Sequence, residues 1–277
     1  MPLTYCDHNF IATALQEPEA YPNHLRQLVE SGTVTFVLSP MHWLDAAEDA
    51  DICRGDAKAD FMDSLQPRWL FDRRSIQRKE VTSQFFRFVG IPEAMPQIMG
   101  DIADVIFDLA GQRGDRDSRA FVNHFRGIGQ NHPLEQSLRQ AFETNNKNIR
   151  LYRARKITLA LAQKVERLYI RQLLPDRTPG GLVIDEALKD QFARQCQLDD
   201  FPSVALENRA TRDNWKHKRP LSRNNFVDQQ HLIALPYVDL FVTDDKKLRS
   251  LIQRITAGVP FHVATLSTKA QFDARYP

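Results

Sequence analysis

The segment YVDLFVTDDKKL (residues 237–248) places a threonine and two adjacent aspartates directly after a short apolar run. An aspartate at the start of a helix accepts hydrogen bonds from free backbone amides and complements the helix dipole, so capping is the simplest explanation for these carboxylates. Successive strand side chains point to opposite faces, so both aspartates are not expected to enter one crevice. This alternation leaves one of the two aspartates as the helix cap and the other as the residue available for chemistry.

Three more aspartates fall at positions that a parallel sheet would bring together. Asp7 ends the apolar run 3–7, Asp45 lies in the helix after the run 33–39, and Asp228 begins the helix before the run 239–243. In an open parallel sheet, side chains at the carboxyl ends of the strands surround one crevice. With Asp245, these residues predict a cluster of four carboxylates, although each one alone is also explained as a turn former or a cap.

Carboxylates within ~4–6 Å of one another raise each other's pKa, and a divalent cation removes that cost. Oxygen ligands without paired Cys or His favour Mg²⁺ or Mn²⁺ over zinc. Such an ion acidifies its bound water and accepts a phosphate oxygen, so the cluster indicates metal-dependent phosphodiester hydrolysis. His8 and His231 could also bind phosphate or metal, but isolated histidines near helix starts are commonly held by local hydrogen bonds, and both stay outside the predicted site.

Short apolar runs alternate with amphipathic helices at both ends of the chain. Strands are predicted at 3–7, 33–39, 239–243 and 261–266, and helices at 23–32, 39–50, 226–235 and 245–255. This alternation is typical of a parallel sheet covered by helices on both faces. Residues 56–199 instead show helical periodicity in long segments, roughly 79–110, 118–128, 132–174 and 185–198, without a Gly/Ser/Pro-rich linker on either flank. We predict an α/β fold with a discontinuous core, 1–55 plus 200–277, and a long all-helical insertion at 56–199.

Three segments resemble the PIN-domain nucleases. YCDHNFI resembles the family's first strand, with Asp7 as its first acid and Asn9 as the polar residue that often follows. VLSPMHWLDAAED resembles the second segment, in which a serine or threonine opens the helix that carries the second acid. VDQQHLIALPYVDLFVTDDKKL resembles the third, with Asp228, Thr243 and Asp245 at the motif positions, which leaves Asp244 as the expected helix cap. The resemblance covers roughly the first 50 and the last 55 residues.

The resemblance implies a Mg²⁺- or Mn²⁺-dependent ribonuclease whose catalytic and metal-binding residues are Asp7, Asp45, Asp228 and Asp245. Asn9 and Thr243, with Asp244 and Glu48 beside them, would orient the carboxylates or water from behind these residues. The second acid of the family is usually glutamate, so Glu48, one turn after Asp45, stays the alternative. The family includes toxins of bacterial toxin-antitoxin pairs, which implies an antitoxin or inhibitor protein and a homodimer as partners. Its compact members lack a helical insertion of this size, so the resemblance leaves the substrate open.

A basic segment, which we predict to be a loop, leads directly into the helix that carries Asp228. NRATRDNWKHKRPLSR (208–223) combines basic side chains with a tryptophan, which suits the backbone and splayed bases of single-stranded RNA. Its predicted nucleic-acid-binding residues are Arg209, Arg212, Trp215, Lys216, Lys218, Arg219 and Arg223. Residues 146–174 are also basic, and for them a solvated helix face is an equal alternative.

The remaining composition excludes little. The formal charge of +2 does not argue for a nucleic-acid partner by itself, and three scattered cysteines suit reduced thiols better than disulfides or zinc. Neither a signal peptide nor an apolar stretch of membrane-spanning length is apparent, which predicts a cytoplasmic protein without a membrane partner. The leading hypothesis is an endoribonuclease. A DNA or flap nuclease with the same site and a catalytically degenerate nucleic-acid-binding or interaction module are the alternatives.

Overall fold

A mixed six-stranded sheet forms the centre of the protein in the computed structural model, which describes residues 1–91, 96–110, 117–129, 132–154, 158–178, 180–181, 183–217 and 221–277. Its strands are β1 (Leu3–Cys6), β2 (Thr35–Leu38), β3 (Arg68–Leu70), β4 (Met99–Gly100), β5 (Leu240–Val242) and β6 (Thr265–Ser267). The strand order is β4-β3-β2-β1-β5-β6, and only the β3–β4 pair is antiparallel. The prediction of an α/β fold around a mostly parallel sheet is therefore confirmed.

Fourteen α-helices lie in the described part of the chain. They are α1 (His8–Ala14), α2 (Ala20–Glu30), α3 (Pro40–Glu48), α4 (Ile52–Ser64), α5 (Arg73–Phe88), α6 (Ile102–Ala110), α7 (Ser118–Ile128), α8 (Pro133–Arg153), α9 (Leu159–Leu173), α10 (Glu186–Gln195), α11 (Pro202–His217), α12 (Arg223–Gln230), α13 (Lys246–Thr256) and α14 (Lys269–Arg275). None of these helices combines the length and the apolarity that a membrane crossing needs.

Strand β1 lies at the topological switch point of the sheet, where the strand order reverses. The chain passes from β1 to β2 and β3 on one side, whereas β5 and β6 extend the sheet on the other. Tyr5 and Cys6 in β1 are fully buried, as expected for a strand covered on both faces. Ligands of open α/β sheets bind beyond the carboxyl ends of the strands at such a switch point. The carboxyl ends of β1 and β5 are therefore the place to look for a site.

The segment 56–199 is not all helical, contrary to the prediction. It contributes β3 next to β2 and β4 at the sheet edge. Strands of two or three residues are too short to show an alternating pattern, so helical periodicity around them conceals them. The predicted helix at 79–110 is also divided, since α5 ends at Phe88 and Gly90 continues in the left-handed region at φ 76°.

The apolar residues form two clusters. The main cluster surrounds the sheet and includes Phe121 and Phe125 of α7 and Leu138 of α8. A second cluster joins α5, α9, α10 and α11 and consists of Val81, Phe85, Phe86, Ile170, Leu173, Leu174, Ile184, Phe192, Phe201 and Val204. Both clusters contain residues from either side of the predicted domain boundaries. The division into core and insertion stays a prediction.

Candidate active site

Asp7 follows β1 and caps α1 from a buried position. Its Oδ1 accepts a hydrogen bond from the amide of Phe10 at 2.9 Å, and its Oδ2 accepts one from Thr243 Oγ1 at 2.5 Å. The side chain is 2% exposed, and this burial raises the pKa of Asp7 above its ordinary value, while both hydrogen bonds act in the opposite direction. Because Thr243 follows β5, its hydroxyl connects the ends of the two central strands.

The assignment of the two adjacent aspartates after β5 requires a correction. Asp245, not Asp244, is the N-cap of α13, and its Oδ1 accepts hydrogen bonds from the amides of Lys247 and Leu248. Asp244 is exposed and accepts a hydrogen bond from the amide of Lys269 at the start of α14. The helix begins one residue later than predicted, so capping and the predicted metal-binding role fall on the same residue. Asp245 Oδ2 has no hydrogen-bond partner within the described residues.

Asp228 lies in the middle of α12, facing the end of β1. Its Oδ1 is 4.0 Å from Nε2 of His8. Burial raises the pKa of Asp228, His8 opposes this, and the negative charges of Asp245, Asp7 and Asp45 raise it further. The other three predicted acids therefore act electrostatically on Asp228 at the carboxyl ends of the strands. The four acids come from four separate elements, as the sheet topology predicts.

The two candidates for the second acid, Asp45 and Glu48, have different partners. Asp45 Oδ2 accepts a hydrogen bond from Lys58 Nζ at 2.7 Å, and the same ammonium group is 3.1 Å from Asp49. Glu48 is exposed and forms two hydrogen bonds with the guanidinium of Arg223. Only Asp45 contributes to the raised pKa of Asp228. Both Asp45 and Glu48 line the same cleft as Asp228, so the choice between them stays a prediction, with the charge of Asp45 acting on Asp228 in its favour.

Of the residues predicted to orient the acids, Thr243 forms hydrogen bonds with them and Asn9, within the described residues, does not. Thr243 is buried and connects Asp7 to the loop before α13, because its Oγ1 also accepts a hydrogen bond from the amide of Asp245 at 3.1 Å. Asn9 is exposed in the first turn of α1, and no hydrogen bond joins its side chain to the acids in the part of the chain described. Its proposed orienting role has no contact to support it.

Sequence reasoning left out a chain of hydrogen bonds that runs from Ser39 to His8, whose ring lies next to Asp228. The hydroxyl groups of Ser39 and Tyr5 are 2.8 Å apart, and Tyr5 Oη is 2.5 Å from His231 Nδ1. His231 Nε2 is 3.3 Å from His8 Nδ1, and His8 Nε2 faces Asp228. Burial raises the pKa of Tyr5 and lowers that of His231, so Tyr5 stays protonated and His231 neutral.

These protonation states allow the chain to run towards Asp228. In the direction that points a proton at Asp228, Tyr5 would donate to His231 Nδ1, His231 Nε2–H to His8 Nδ1, and His8 would turn Nε2–H towards Asp228 at 4.0 Å. The sequence carried a partial signal, since His8 adjoins Asp7 and His231 follows Asp228 by three residues. Lys58 had no such signal, because only the packing of α4 against α3 brings it to Asp45.

The donor set is chemically suited to Mg²⁺ or Mn²⁺. It consists of hard carboxylate oxygens, and each oxygen that accepts one hydrogen bond retains a second lone pair. The mutual repulsion seen at Asp228 is the electrostatic cost that a cation removes. Among the described residues no three Asp, Glu, His or Cys side chains already form a metal-holding group. Mg²⁺ commonly takes only one or two direct carboxylates together with waters, so the residues fit such an ion.

The predicted nucleic-acid-binding segment is a helix over most of its length rather than a loop. Arg209, Arg212, Trp215 and Lys216 belong to α11, whereas Lys218 and Arg219 lie outside the described residues. Trp215 is 9% exposed, so its ring is not presented for stacking on a base, contrary to the prediction. The segment was read as a loop because its many charges obscure the small buried face formed by residues such as Ala210 and Asn214.

The arginines of this segment make ion pairs. Arg209 contacts Asp199, Arg212 contacts Glu166, and Arg223 contacts Glu48 and Glu135. Lys216 is exposed and forms no ion pair within the described residues.

Two clefts meet at Asp228. The acidic cleft, of about 350 Å³, is lined by His8, Asp45, Lys58, Arg223 and Asp228 among others. The middle cleft, of about 270 Å³, shares Asp228 and is also lined by Asp245, Lys247, Asp213 and Arg254. Asp228 is therefore open to a ligand from two directions, with Asp45 in one cleft and Asp245 in the other, whereas the buried Asp7 lines neither. Comparisons of the chain with protein-family models, curated proteins and solved structures gave no significant match.

Proposed function

We propose that this protein is a divalent-metal-dependent endoribonuclease related in design to the PIN-domain nucleases. The observation that carries the proposal is the electrostatic environment of Asp228, which is half-buried with three other acids acting on it and a single histidine opposing them. Stability alone does not favour such an arrangement, because like charges raise the cost of ionisation. Perturbed carboxylates in a cleft at a sheet switch point are typical of a functional site.

Asp7, Asp45, Asp228 and Asp245 would hold Mg²⁺ or Mn²⁺. When bound, the ion supplies a Lewis acid for a phosphate oxygen and acidifies water. Thr243 fixes the Asp7 carboxylate through its hydroxyl, and Asp245 is fixed by the first turn of α13. His8, oriented by His231, would present Nε2–H at the rim of the cluster, where it can donate to a phosphate oxygen.

RNA as the substrate rests on the resemblance to the PIN-domain family and on the basic residues beside the acids. Lys58 and Arg223 line the acidic cleft, and Lys247 lines the middle one. These cations favour a polyanionic ligand over a neutral one. A homodimer and an antitoxin or inhibitor protein stay predictions of the same resemblance.

The direct test measures cleavage of matched single-stranded RNA and DNA oligonucleotides with Mn²⁺, Mg²⁺ or EDTA. We expect RNA cleavage with the metals, and a loss of at least about 100-fold in Asp7→Asn and Asp228→Asn, because a metal's charge stabilisation is worth several kcal/mol. Asp60→Asn on α4, an exposed aspartate outside the cluster, is the matched control and should keep full activity. Cleavage that survives in both cluster variants would refute the proposal, and preferential cleavage of DNA would replace its substrate.

A second measurement detects metal binding independently of RNA cleavage. A ligand present at 100 times its dissociation constant stabilises the folded state by about 2.7 kcal/mol, so Mn²⁺ should raise the thermal unfolding midpoint of the wild type. Asp228→Asn should lose most of this increase and Asp60→Asn none of it. An equal Mn²⁺ response in all three proteins would exclude the cluster as the metal site.

A further inference from the structure

A third cleft lies next to the middle cleft. This far cleft, of about 580 Å³, lies between α9, the 3-10 helix Leu198–Asp200, α11 and α13. It shares Asp213 and Arg254 with the middle cleft, which in turn shares Asp228 with the acidic cleft. The three clefts are therefore consecutive, and Asp228 lies where the first two meet.

The lining of the far cleft carries an excess of positive charge. Five cationic side chains face three carboxylates, and the cations are Arg167, Arg209, Arg212, Lys216 and Arg254. Three of the arginines are held by the carboxylates: Arg212 by Glu166, Arg209 by Asp199 and Arg254 by Asp213. Arg209 is further fixed by the carbonyl groups of Ile255 and Ala257 at the end of α13.

Arg167 and Lys216 account for the excess. Both are exposed, they lie on the two helices that face each other across the cleft, and neither forms an ion pair within the described residues. The fixed arginines retain further N–H donors, because a guanidinium carries five and each pair uses only some of them. A bound anion would therefore meet two unpaired cations and several oriented donors in one place.

We propose that the three clefts form one track for a single-stranded phosphodiester backbone, with the far cleft binding a stretch of strand away from the acid cluster. A polymer fits this arrangement better than a small anion. The clefts are consecutive, and the excess positive charge lies in the far cleft, away from the acid cluster, so one ligand must be long to reach both. The position of the cut along the track rests on the proposed function. Binding in the far cleft does not.

The track reads the backbone rather than the bases. The rings among the lining residues of the three clefts are those of His8 and His217, with no Phe, Tyr or Trp to stack on a base. Binding should therefore depend strongly on salt and little on sequence. For single strands, the slope of log affinity against log salt is about −0.7 per phosphate neutralised, so removing one cation that binds a phosphate should make the slope shallower by that amount.

Fluorescence anisotropy of labelled single-stranded RNA and DNA in EDTA tests the track without cleavage. Strands of about four and about twelve nucleotides are compared, since only the longer can span several clefts. We expect tighter binding of the longer strand by at least tenfold, and a loss of about 0.7 in salt slope for each of Arg167→Gln and Lys216→Gln. Lys147→Gln and Arg150→Gln on α8, exposed cations that line none of the three clefts, should leave the slope unchanged.

The outcomes separate this inference from the proposed function. Normal cleavage with equal binding of all four variants would overturn the track alone. Length-dependent binding that requires Arg167 and Lys216, without any cleavage, would support the track and refute the nuclease. Competition by polyglutamate of equal charge that matches competition by unlabelled RNA would overturn the track in favour of a general anion cleft. If RNA and DNA bind equally, the far cleft reads phosphates only.

Discussion

At the acid cluster, Asp228 faces three other carboxylates and one histidine, whereas in the far cleft Glu166 accepts three hydrogen bonds from the guanidinium of Arg212. Both sites contain charges of limited exposure. In the far cleft each carboxylate pairs with an arginine, whereas in the acid cluster Lys58 pairs with Asp45 and only His8, at 4.0 Å, opposes the three carboxylates that act on Asp228. Ion pairing of that kind is explained by stability. A cluster of like charges reduces stability instead. An unfavourable local arrangement in an otherwise consistent fold is where a functional site is expected. The comparison separates a cluster with an excess of like charge from a surface whose carboxylates are balanced by arginines.

The two sites also lie over different apolar clusters. Substitutions in these clusters should have the largest effects on the free energy of unfolding. Trp43 of α3 is fully buried, with its ring centroid 4.2 Å from that of Trp69, and supports the helix of Asp45. Trp43→Ala should reduce the free energy of unfolding by about 3–5 kcal/mol, and Phe201→Ala in the second cluster by a similar amount. Urea unfolding followed by circular dichroism measures both.

The number of transitions is the informative result. Helices α5 and α11 contribute residues to both clusters, for example Ile76 and Phe85 from α5. We therefore expect one cooperative transition in the wild type and in each variant. Two transitions, with Phe201→Ala shifting only one of them, would show that the two sites belong to independently unfolding units. Trp43→Phe, which keeps an aromatic ring, serves as the mild control.

Glu80 of α5 lies between the two regions and gives the next largest effect. Its carboxyl group accepts hydrogen bonds from the amide and hydroxyl of Ser203 and from the hydroxyl of Tyr237. Burial raises the pKa of Glu80 from 4.5 to about 7. Because its pKa is raised in the folded state, protonated Glu80 contributes to the free energy of unfolding. This contribution is complete below about pH 4.5 and is lost as the pH rises through about 7, on the order of 3 kcal/mol.

Glu80→Gln should remove that part of the pH dependence, since the amide keeps the shape without the charge. Thermal unfolding midpoints from about pH 5 to about pH 8 should fall less steeply in this variant than in wild type. Glu143→Gln, an exposed residue of α8, is the control and should follow the wild type. A profile of Glu80→Gln identical to that of the wild type would mean that Glu80 is ionised without cost.

The sequence predicted the parts of the site that depend on strong local patterns. Strands β1, β2 and β5 are continuous apolar runs, and their positions and the parallel topology suffice to bring Asp7 and Asp245 to one edge. The cap was misplaced because the choice between Asp244 and Asp245 depends on the turn at Thr243, which a one-residue shift reverses.

Other parts depend on tertiary packing and left no local pattern. Strands β3 and β4 acquire their identity from their neighbours in the sheet. The pairing of Arg212 with Glu166 joins residues 46 positions apart. The positive charge of the segment predicted to bind RNA is therefore partly neutralised by a residue that is distant in sequence. The exposed Lys216 and the buried Trp215 are adjacent in sequence, and only the orientation of α11 separates their environments.

Removing a carboxylate from the far cleft should destabilise the protein. Glu166→Gln leaves the half-buried guanidinium of Arg212 without its counter-charge, and we expect a loss of about 1–2 kcal/mol, between the values for buried and exposed charged hydrogen bonds. Glu143→Gln, which breaks the fully exposed pair with Arg139, should cost no more than about 0.5 kcal/mol. Chemical denaturation at pH 7 measures both. Equal values would mean that the far cleft is no better organised than an ordinary surface.

Removing a carboxylate from the acid cluster should have the opposite sign. The pKa of Asp228 is raised in the folded state, so its ionised form opposes folding at pH 7, and Asp228→Asn should increase the unfolding free energy in EDTA. The gain should stay within about 1 kcal/mol because solvent screens this partly exposed group. It should vanish below the ordinary aspartate pKa of about 3.9, where the carboxyl is protonated in both states. Asp60→Asn, which loses an exposed pair with Arg119, should show no gain. A loss of stability in Asp228→Asn as large as that in Glu166→Gln would mean that Asp228 is held by favourable contacts, and the contrast between the two sites would disappear.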